Sequence, residues 1–252
     1  MSADLALAER AARAAAAVLL ERFGGPVKGL DSKTSATDPV SDADREAERA
    51  IRELLEAERP HDGLLGEEGS RQAGESGRRW VVDPLDGTVN YLYGIPQWCV
   101  SVALEDSSGA LAGVVLDPIR QELFASERGQ GTSLNGGQVR VSGANELGRA
   151  LVATGFSYEP VHRAEQAEVV SRLLPRVRDI RRAGSAALDL AWVAAGRVDG
   201  FYERGVKPWD WAAGRLLVEE AGGATRELPG EPFGLVAAGP ALIDDLAALV
   251  ET

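Results

Sequence analysis

The segment Trp80-Val81-Val82-Asp83-Pro84-Leu85-Asp86-Gly87-Thr88-Val89-Asn90-Tyr91 constrains this chain more than any other. An apolar run of strand character passes straight into a turn that carries two aspartates three positions apart. Pro84 has no N–H to give, Gly87 permits close backbone approach, and Thr88 adds a hydroxyl. An Asx/Pro turn accounts for Asp83-Pro84 and Gly87 but gives no reason for Asp86 and Thr88. Two carboxylates about 4 Å apart repel by a few kcal/mol at a surface-like dielectric, so a proton or a cation must come between them. With oxygen donors and no neighbouring His or Cys, the fitting cation is a hard one such as Mg²⁺.

Three further acidic positions stand out. Ser41-Asp42-Ala43-Asp44 reads as a helix start, and Ala47, Ala50, Ile51, Leu54 and Leu55 mark the apolar face of that helix. Asp44 lies three residues before Ala47 and seven before Ile51, hence on the buried face; a charge favoured by the helix dipole is the alternative. Gly66-Glu67-Glu68-Gly69 follows the apolar pair Leu64-Leu65. A strand that ends in two glutamates sends at least one toward the end of the sheet, although a solvated acidic loop would look the same. In Lys207-Pro208-Trp209-Asp210-Trp211-Ala212-Ala213-Gly214, Asp210 occupies an apparent N-cap position. The two flanking tryptophans exceed what capping needs, and the small residues after them allow tight packing of the helix start.

The 252 residues carry a formal net charge of −12. That excess argues against nucleic acid as a partner, which requires clustered Lys and Arg. It leaves room for a small phosphorylated substrate, because bound cations reverse the local sign. Cys99 is the single cysteine, so no internal disulfide can form and a reducing compartment is implied. The apolar run 14–20 is short and flanked by Arg10, Arg13, Glu21 and Arg22, and no stretch approaches the ~20 apolar residues of a membrane span. The expectation is a cytoplasmic protein with no membrane partner. His61 and His162 are the only histidines and lie far apart in sequence, which gives a zinc site or a Ser-His triad little to work with.

The spacing predicts a helix over 3–23 stopped by Gly24-Gly25-Pro26, then a polar loop over 27–39 with Lys33, Thr34, Ser35 and Thr37. A helix then runs to about Arg59 and a short strand covers 80–82, halting at Asp83-Pro84. A hairpin links 98–105 to 111–116, with Cys99 as a small core residue of its first strand. A strand over 123–126 and an Asn135-Gly136-Gly137 turn come next. Beyond residue 150, helices near 161–174, 185–195, 210–221 and 240–250 alternate with strands near 177–181 and 198–202. This order suggests a layered α/β sandwich, one unit over 1–252 with at most a subdivision near 150.

Asp83-Pro84-Leu85-Asp86-Gly87-Thr88, preceded by Gly66-Glu67-Glu68 and followed by Trp209-Asp210-Trp211-Ala212-Ala213-Gly214, resembles the inositol monophosphatase family over nearly the whole chain. The resemblance implies an α/β (α+β) fold, the layered αβαβα sandwich of the inositol monophosphatase/fructose-1,6-bisphosphatase type. It also implies two or three Mg²⁺ ions per site, lithium sensitivity, a homodimer, and hydrolysis of a small phosphorylated metabolite by metal-activated water. Carried across, Glu67, Asp83 and the carbonyl of Leu85 correspond to ligands of one metal, and Asp83, Asp86 and Asp210 to those of a second. Asp44 and Thr88 correspond to the pair that orients the attacking water, with Glu67 assisting through its metal. Lys33 matches a loop lysine near the site. Gly184, Ser185, Ala186 and Glu203 match contacts to the alcohol half of the substrate, Asp86 serving there too, while Gly87 and Thr88 offer main-chain N–H groups to phosphate.

Inositol 1-phosphate is the foremost substrate under this resemblance, with histidinol phosphate, fructose 1,6-bisphosphate and 3′-phosphoadenosine nucleotides as alternatives. A haloacid-dehalogenase-type phosphatase would place its two aspartates two residues apart, not three. A non-enzymatic metal-stabilised binding or regulatory protein would explain the acidic cluster but neither Thr88 nor Lys33.

Overall fold

Alternate residues of the long central strands face different layers of helices, and this period-two division organises the molecule. The computed structural model describes residues 2–25, 31–32 and 39–251; Lys33, Thr34, Ser35 and Thr37 lie outside the described residues. The α-helices described are α1 (Ala3–Leu20), α2 (Asp42–Glu58), α3 (Thr88–Leu92), α4 (Pro160–Leu173), α5 (Ala186–Ala194), α6 (Pro208–Glu220) and α7 (Ile243–Val250). None of them is long and apolar enough to cross a membrane.

An eight-stranded sheet carries, from edge to edge, Gly137–Val139, Thr132–Leu134, Glu122–Glu127, Gly109–Asp117, Cys99–Asp106, Arg79–Asp86, Gly63–Gly66 and Arg71–Gln72. On one face, Trp80, Val82, Val100, Val102, Leu104, Val114 and Leu116 meet α1 and α2. The alanines of α1 at 8, 11, 12 and 15 are fully buried there, and short side chains bring that helix close to the strands. On the other face, Val81, Cys99, Ala103, Val115 and Phe124 meet α5 and α6. Those helices pack in turn on a five-stranded sheet ordered Asp179–Arg181, Leu151–Thr154, Gly200–Arg204, Gly234–Ala238 and Ala224–Leu228. Its far face, with Val152, Tyr202, Val236 and Ala238, is covered by Leu173 of α4 and by Ile243, Leu246, Ala247 and Val250 of α7. The layers therefore run α, β, α, β, α, as the resemblance implies.

Most elements fall where the spacing puts them, and the exceptions have physical reasons. The strand that was expected to halt at Asp83-Pro84 continues to Asp86, because its ladder shifts register between Asp83, opposite Ser101, and Asp86, opposite Cys99. Pro84 falls inside that irregularity, where no donor is called for. The strand expected near 198–202 is Gly200–Arg204. Leu151–Thr154, Ala224–Leu228 and Gly234–Ala238 are strands that the pattern did not announce. The Asn135-Gly136 hairpin turn has φ of 49° and 81°, the left-handed values that favour this dipeptide.

Close approach of the middle layer depends on missing side chains. A Cβ on Gly113 would stand 3.1 Å from the Cα of Ala213, and one on Gly214 would stand 2.6 Å from the Cβ of Leu190. Helix α6 is thus seated against both the sheet and α5 by small residues. Gly214→Val is expected to lower stability by about 1–3 kcal/mol through overpacking, although valine is the better helix former. Equilibrium denaturation measures this, and a variant as stable as the parent would contradict the packing.

Candidate active site

The strands Gly63–Gly66 and Arg79–Asp86 run parallel with Gly66 opposite Val82, so both chains leave the sheet side by side. The N–H of Glu67 donates to the carbonyl of Val82 at 3.3 Å, which sets Glu67 beside Asp83. The turn after Glu67 is held from beneath by Glu48 of α2, whose carboxylate accepts from the N–H groups of Glu68 (2.7 Å) and Ser70 (2.9 Å). Gly66 leaves room for this: a Cβ there would lie 2.3 Å from Glu48 Oε2.

Each aspartate has one oxygen fixed by a main-chain donor. Asp83, 1 % exposed, accepts from the N–H of Leu85 at 2.9 Å. Asp86 Oδ2 accepts from the Ser185 hydroxyl and the Ala187 N–H, both at 2.7 Å, and so sits at the N-terminus of α5. Asp210 Oδ2 accepts from the N–H of Lys207 at 2.6 Å. Lys207 is the N-cap of α6 and Asp210 its third residue, so the N-cap expectation for Asp210 is corrected: it reaches back to the cap rather than being it. The carbonyl of Trp209 accepts from Ser101 Oγ at 3.2 Å, anchoring this helix start to the strand Cys99–Asp106.

Asp44 is wholly buried at the start of α2. Its Oδ2 accepts from the N–H (2.9 Å) and hydroxyl (2.5 Å) of Ser41, and its Oδ1 from Thr88 Oγ1 at 3.2 Å. Thr88 Oγ1 also lies 3.1 Å from the Leu85 carbonyl. Thr88 opens α3 directly after Gly87, whose φ is +102° and whose Cβ, if present, would approach the Gln97 carbonyl to 2.9 Å. Only glycine satisfies that turn.

Glu67, Asp83, Asp86, Thr88 and Asp210 line one cavity of about 380 Å³. Burial pushes Asp83 well above the ordinary carboxyl range, and the charges of Glu67, Asp86 and Asp210 push it further. Asp210 is raised for the same reasons. Asp86 is raised to about 6, burial outweighing the Ser185 and Ala187 hydrogen bonds that favour its charged form. Asp83 and Glu67 stand close enough to hydrogen-bond to each other, an approach that needs a shared proton unless a cation intervenes. This all-oxygen donor set, with the Leu85 carbonyl beside it, fits a hard divalent ion.

Leu85, Gly87, Gly184, Ser185, Ala186 and Glu203 form part of the same wall, whereas Asp44 does not line it and meets it through Thr88. Burial raises Glu203 to about 8, opposed by the nearby Arg182 guanidinium. Two neighbours, Asn90 and Asp189, were given no role in the sequence reading, and Cys99, expected as a small core residue, is buried against the site. Asn90 donates to the carbonyls of Gln97 (2.7 Å) and Ala183 (2.9 Å), tying α3 to the Gly184 turn. Cys99 Sγ lies 3.9 Å from Asp86 Oδ2 and 3.5 Å from Ser185 Oγ. Asp189, 1 % exposed, is an acid within the otherwise apolar α5, and that incongruity was the signal available.

The inositol monophosphatase family model matches residues 1–248. Inositol-1-monophosphatase SuhB of Mycobacterium tuberculosis is 40% identical over 245 residues, covering 92% of this chain and 84% of that protein. Nus factor SuhB of Xylella fastidiosa is 46% identical over 222 residues, covering 88% and 80%. Among solved structures, the extragenic suppressor protein suhB from Bartonella henselae superposes with a TM-score of 0.93 at 40% identity, covering 100% of this chain and 99% of that one. The inositol monophosphatase from Anabaena does so with a TM-score of 0.85 at 34% identity, covering 97% and 94%. With the matched sequence, the five layers and the carboxylate-lined cavity in agreement, the chain belongs to the inositol monophosphatase family.

Proposed function

We propose that the chain is a Mg²⁺-dependent phosphomonoesterase whose first substrate is inositol 1-phosphate. The observation that carries this reading is the Asp44–Thr88 hydrogen bond placed against a four-carboxylate cavity. Glu67, Asp83 and the Leu85 carbonyl would hold one divalent ion, and Asp83, Asp86 and Asp210 a second; when bound, such ions would lower the pKa of water and supply counter-charge for phosphoryl oxygens. The residues of the chain do the remainder. Thr88 Oγ1, in the cavity wall, accepts a proton from water while passing its own toward Asp44 Oδ1, so the pair orients and deprotonates the nucleophile. The N–H groups of Gly87 and Thr88 hold phosphate oxygens, and Asp86, fixed by α5, faces the alcohol side with Gly184, Ser185, Ala186 and Glu203. Nothing in this scheme requires covalent attachment of phosphate to Asp83.

The relatives named Nus factor SuhB support a second reading, a regulatory role beside or in place of catalysis. Phosphate release from myo-inositol 1-phosphate with and without Mg²⁺ separates the two, and a fully folded chain that releases none under either condition would favour the second.

Asp83→Asn and Asp210→Asn are each expected to cut Mg²⁺-dependent kcat/KM by at least ~10³-fold with the fold retained. Near-normal turnover by Asp83→Asn would end the metal assignment. Thr88→Ala is expected to lower kcat by about 10²–10⁴-fold with little change in KM. Millimolar lithium is expected to inhibit.

The raised carboxyls also link stability to pH. In the unfolded chain Asp86 ionises near 3.8 and Glu203 near 4.5, whereas in the fold Asp86 stays protonated to about 6 and Glu203 to about 8. The fold therefore binds more protons in that window, and stability falls as pH rises through it. Mg²⁺ competes with those protons, so its stabilising effect should grow as pH rises. Thermal melts in chelator and in excess Mg²⁺ across this window check both signs; a Mg²⁺ effect that shrinks with rising pH would contradict them.

A further inference from the structure

We infer that Asp189 is a specificity-determining residue of the leaving-group side, taking a hydroxyl of a neutral polyol alongside Glu203. This rests on the phosphomonoesterase reading above and assigns the chemistry of the group that departs.

Asp189 is the only charged residue of α5, whose sequence is AALDLAWVA. It is 1 % exposed, its Oδ1 has no hydrogen-bond partner among the described residues, and the residue lines the same cavity as Glu203 and Asp86. A buried carboxylate with an unsatisfied oxygen costs stability, and a neutral side chain of similar shape would cost less. No neighbouring element provides a return for it. Among the described residues no main-chain donor reaches its side chain, and Arg182 acts on it through its field, shared with Glu203. An acid kept at a stability cost in the wall of a ligand cavity is accounted for by what enters the cavity.

The shape of the wall agrees. Gly155 leaves space for the Glu203 carboxyl, since a Cβ there would lie 2.2 Å from its oxygens. Arg182 folds over Gly184, its Nη1 2.6 Å from where a Cβ would stand. Two acids and one guanidinium thus surround the space beside Ser185 and Ala186. Burial holds both carboxyls toward their neutral forms, and a carboxyl oxygen accepts hydrogen bonds from hydroxyls in either form. A leaving group rich in hydroxyls supplies the donor that Asp189 Oδ1 lacks, and a phosphate dianion has none to give.

The test compares Asp189→Asn with the parent on myo-inositol 1-phosphate, p-nitrophenyl phosphate and fructose 1,6-bisphosphate, with thermal melts of both proteins. The expected result is a kcat/KM loss on the inositol ester about 10–100-fold greater than on the nitrophenyl ester. It should be expressed mainly in KM, with no loss on the bisphosphate and a melting temperature equal to or above the parent's. Equal losses on all three esters, or a lowered melting temperature with parallel losses, would make Asp189 structural and overturn the inference. An unchanged KM for the inositol ester would overturn it as well. Asp189→Ser, which lacks the carboxylate but stays polar, should reproduce the discrimination if Asn packs poorly. Failure of the underlying reading looks different, because the parent itself would then release phosphate from none of the esters.

Discussion

Carboxylates that repel one another must be held together in a buried cavity, and the rest of the architecture follows from that requirement. Glu67, Asp83, Asp86 and Asp210 come from positions up to 143 residues apart in sequence, and burial with mutual repulsion drives the aspartates among them toward protonation. What opposes this is main-chain hydrogen bonding. Leu85, Ala187 and Lys207 each donate an N–H to one aspartate oxygen, and two of those donors belong to the first turns of helices, where N–H groups lack partners of their own. The middle helical layer is therefore part of the site. Helices α5 and α6 must arrive with their N-termini at the edge where the strands Gly63–Gly66 and Arg79–Asp86 end.

That delivery explains the small residues that surround the site. Gly214 lets α6 press on Leu190, and Gly113 lets it press on the sheet, which fixes how far Asp210 projects. Gly66 admits the Glu48 carboxylate that shapes the Glu67 turn, and Gly87 admits the Gln97 carbonyl beneath the Asp86–Thr88 turn. A methyl group at any of these would have to displace the backbone or side chain it meets. Cys99 fits the same logic: a fully buried thiol behind Asp86 and Ser185, its ionisation suppressed by burial, fills space without adding another charge.

Much of this was legible in the sequence because the functional acids break local rules. Asp44 interrupts the apolar face of α2, and Asp83 and Asp86 break the apolar run of a strand without being needed for its turn. Helix positions were readable from caps and breaks at Gly24-Gly25-Pro26 and Arg59-Pro60. The strands Leu151–Thr154, Ala224–Leu228 and Gly234–Ala238 were not, since they are short, alanine-containing and defined by the partners they pair with. Convergence was not legible either. That Gly66 pairs in parallel with Val82, and so sets Glu67 beside Asp83, is a property of register, which no local pattern states. Asp210 was placed one role off because a third-position acid that reaches back to the cap and a capping acid look alike in sequence.

Asp86 links the two halves of the cavity. One side of its environment is the Asp83–Glu67 cluster, and the other is the Ser185–Ala187 start of α5, the helix that also carries Asp189. Any shift of α5 that adapts the alcohol side to a different leaving group must move the donors that hold Asp86. On the proposed reading, metal affinity and leaving-group choice are coupled through a single short helix. Substitutions that retune specificity without loss of Mg²⁺ binding should fall on side chains of the wall, such as Asp189 and Glu203, and not on the Gly184–Ala187 backbone.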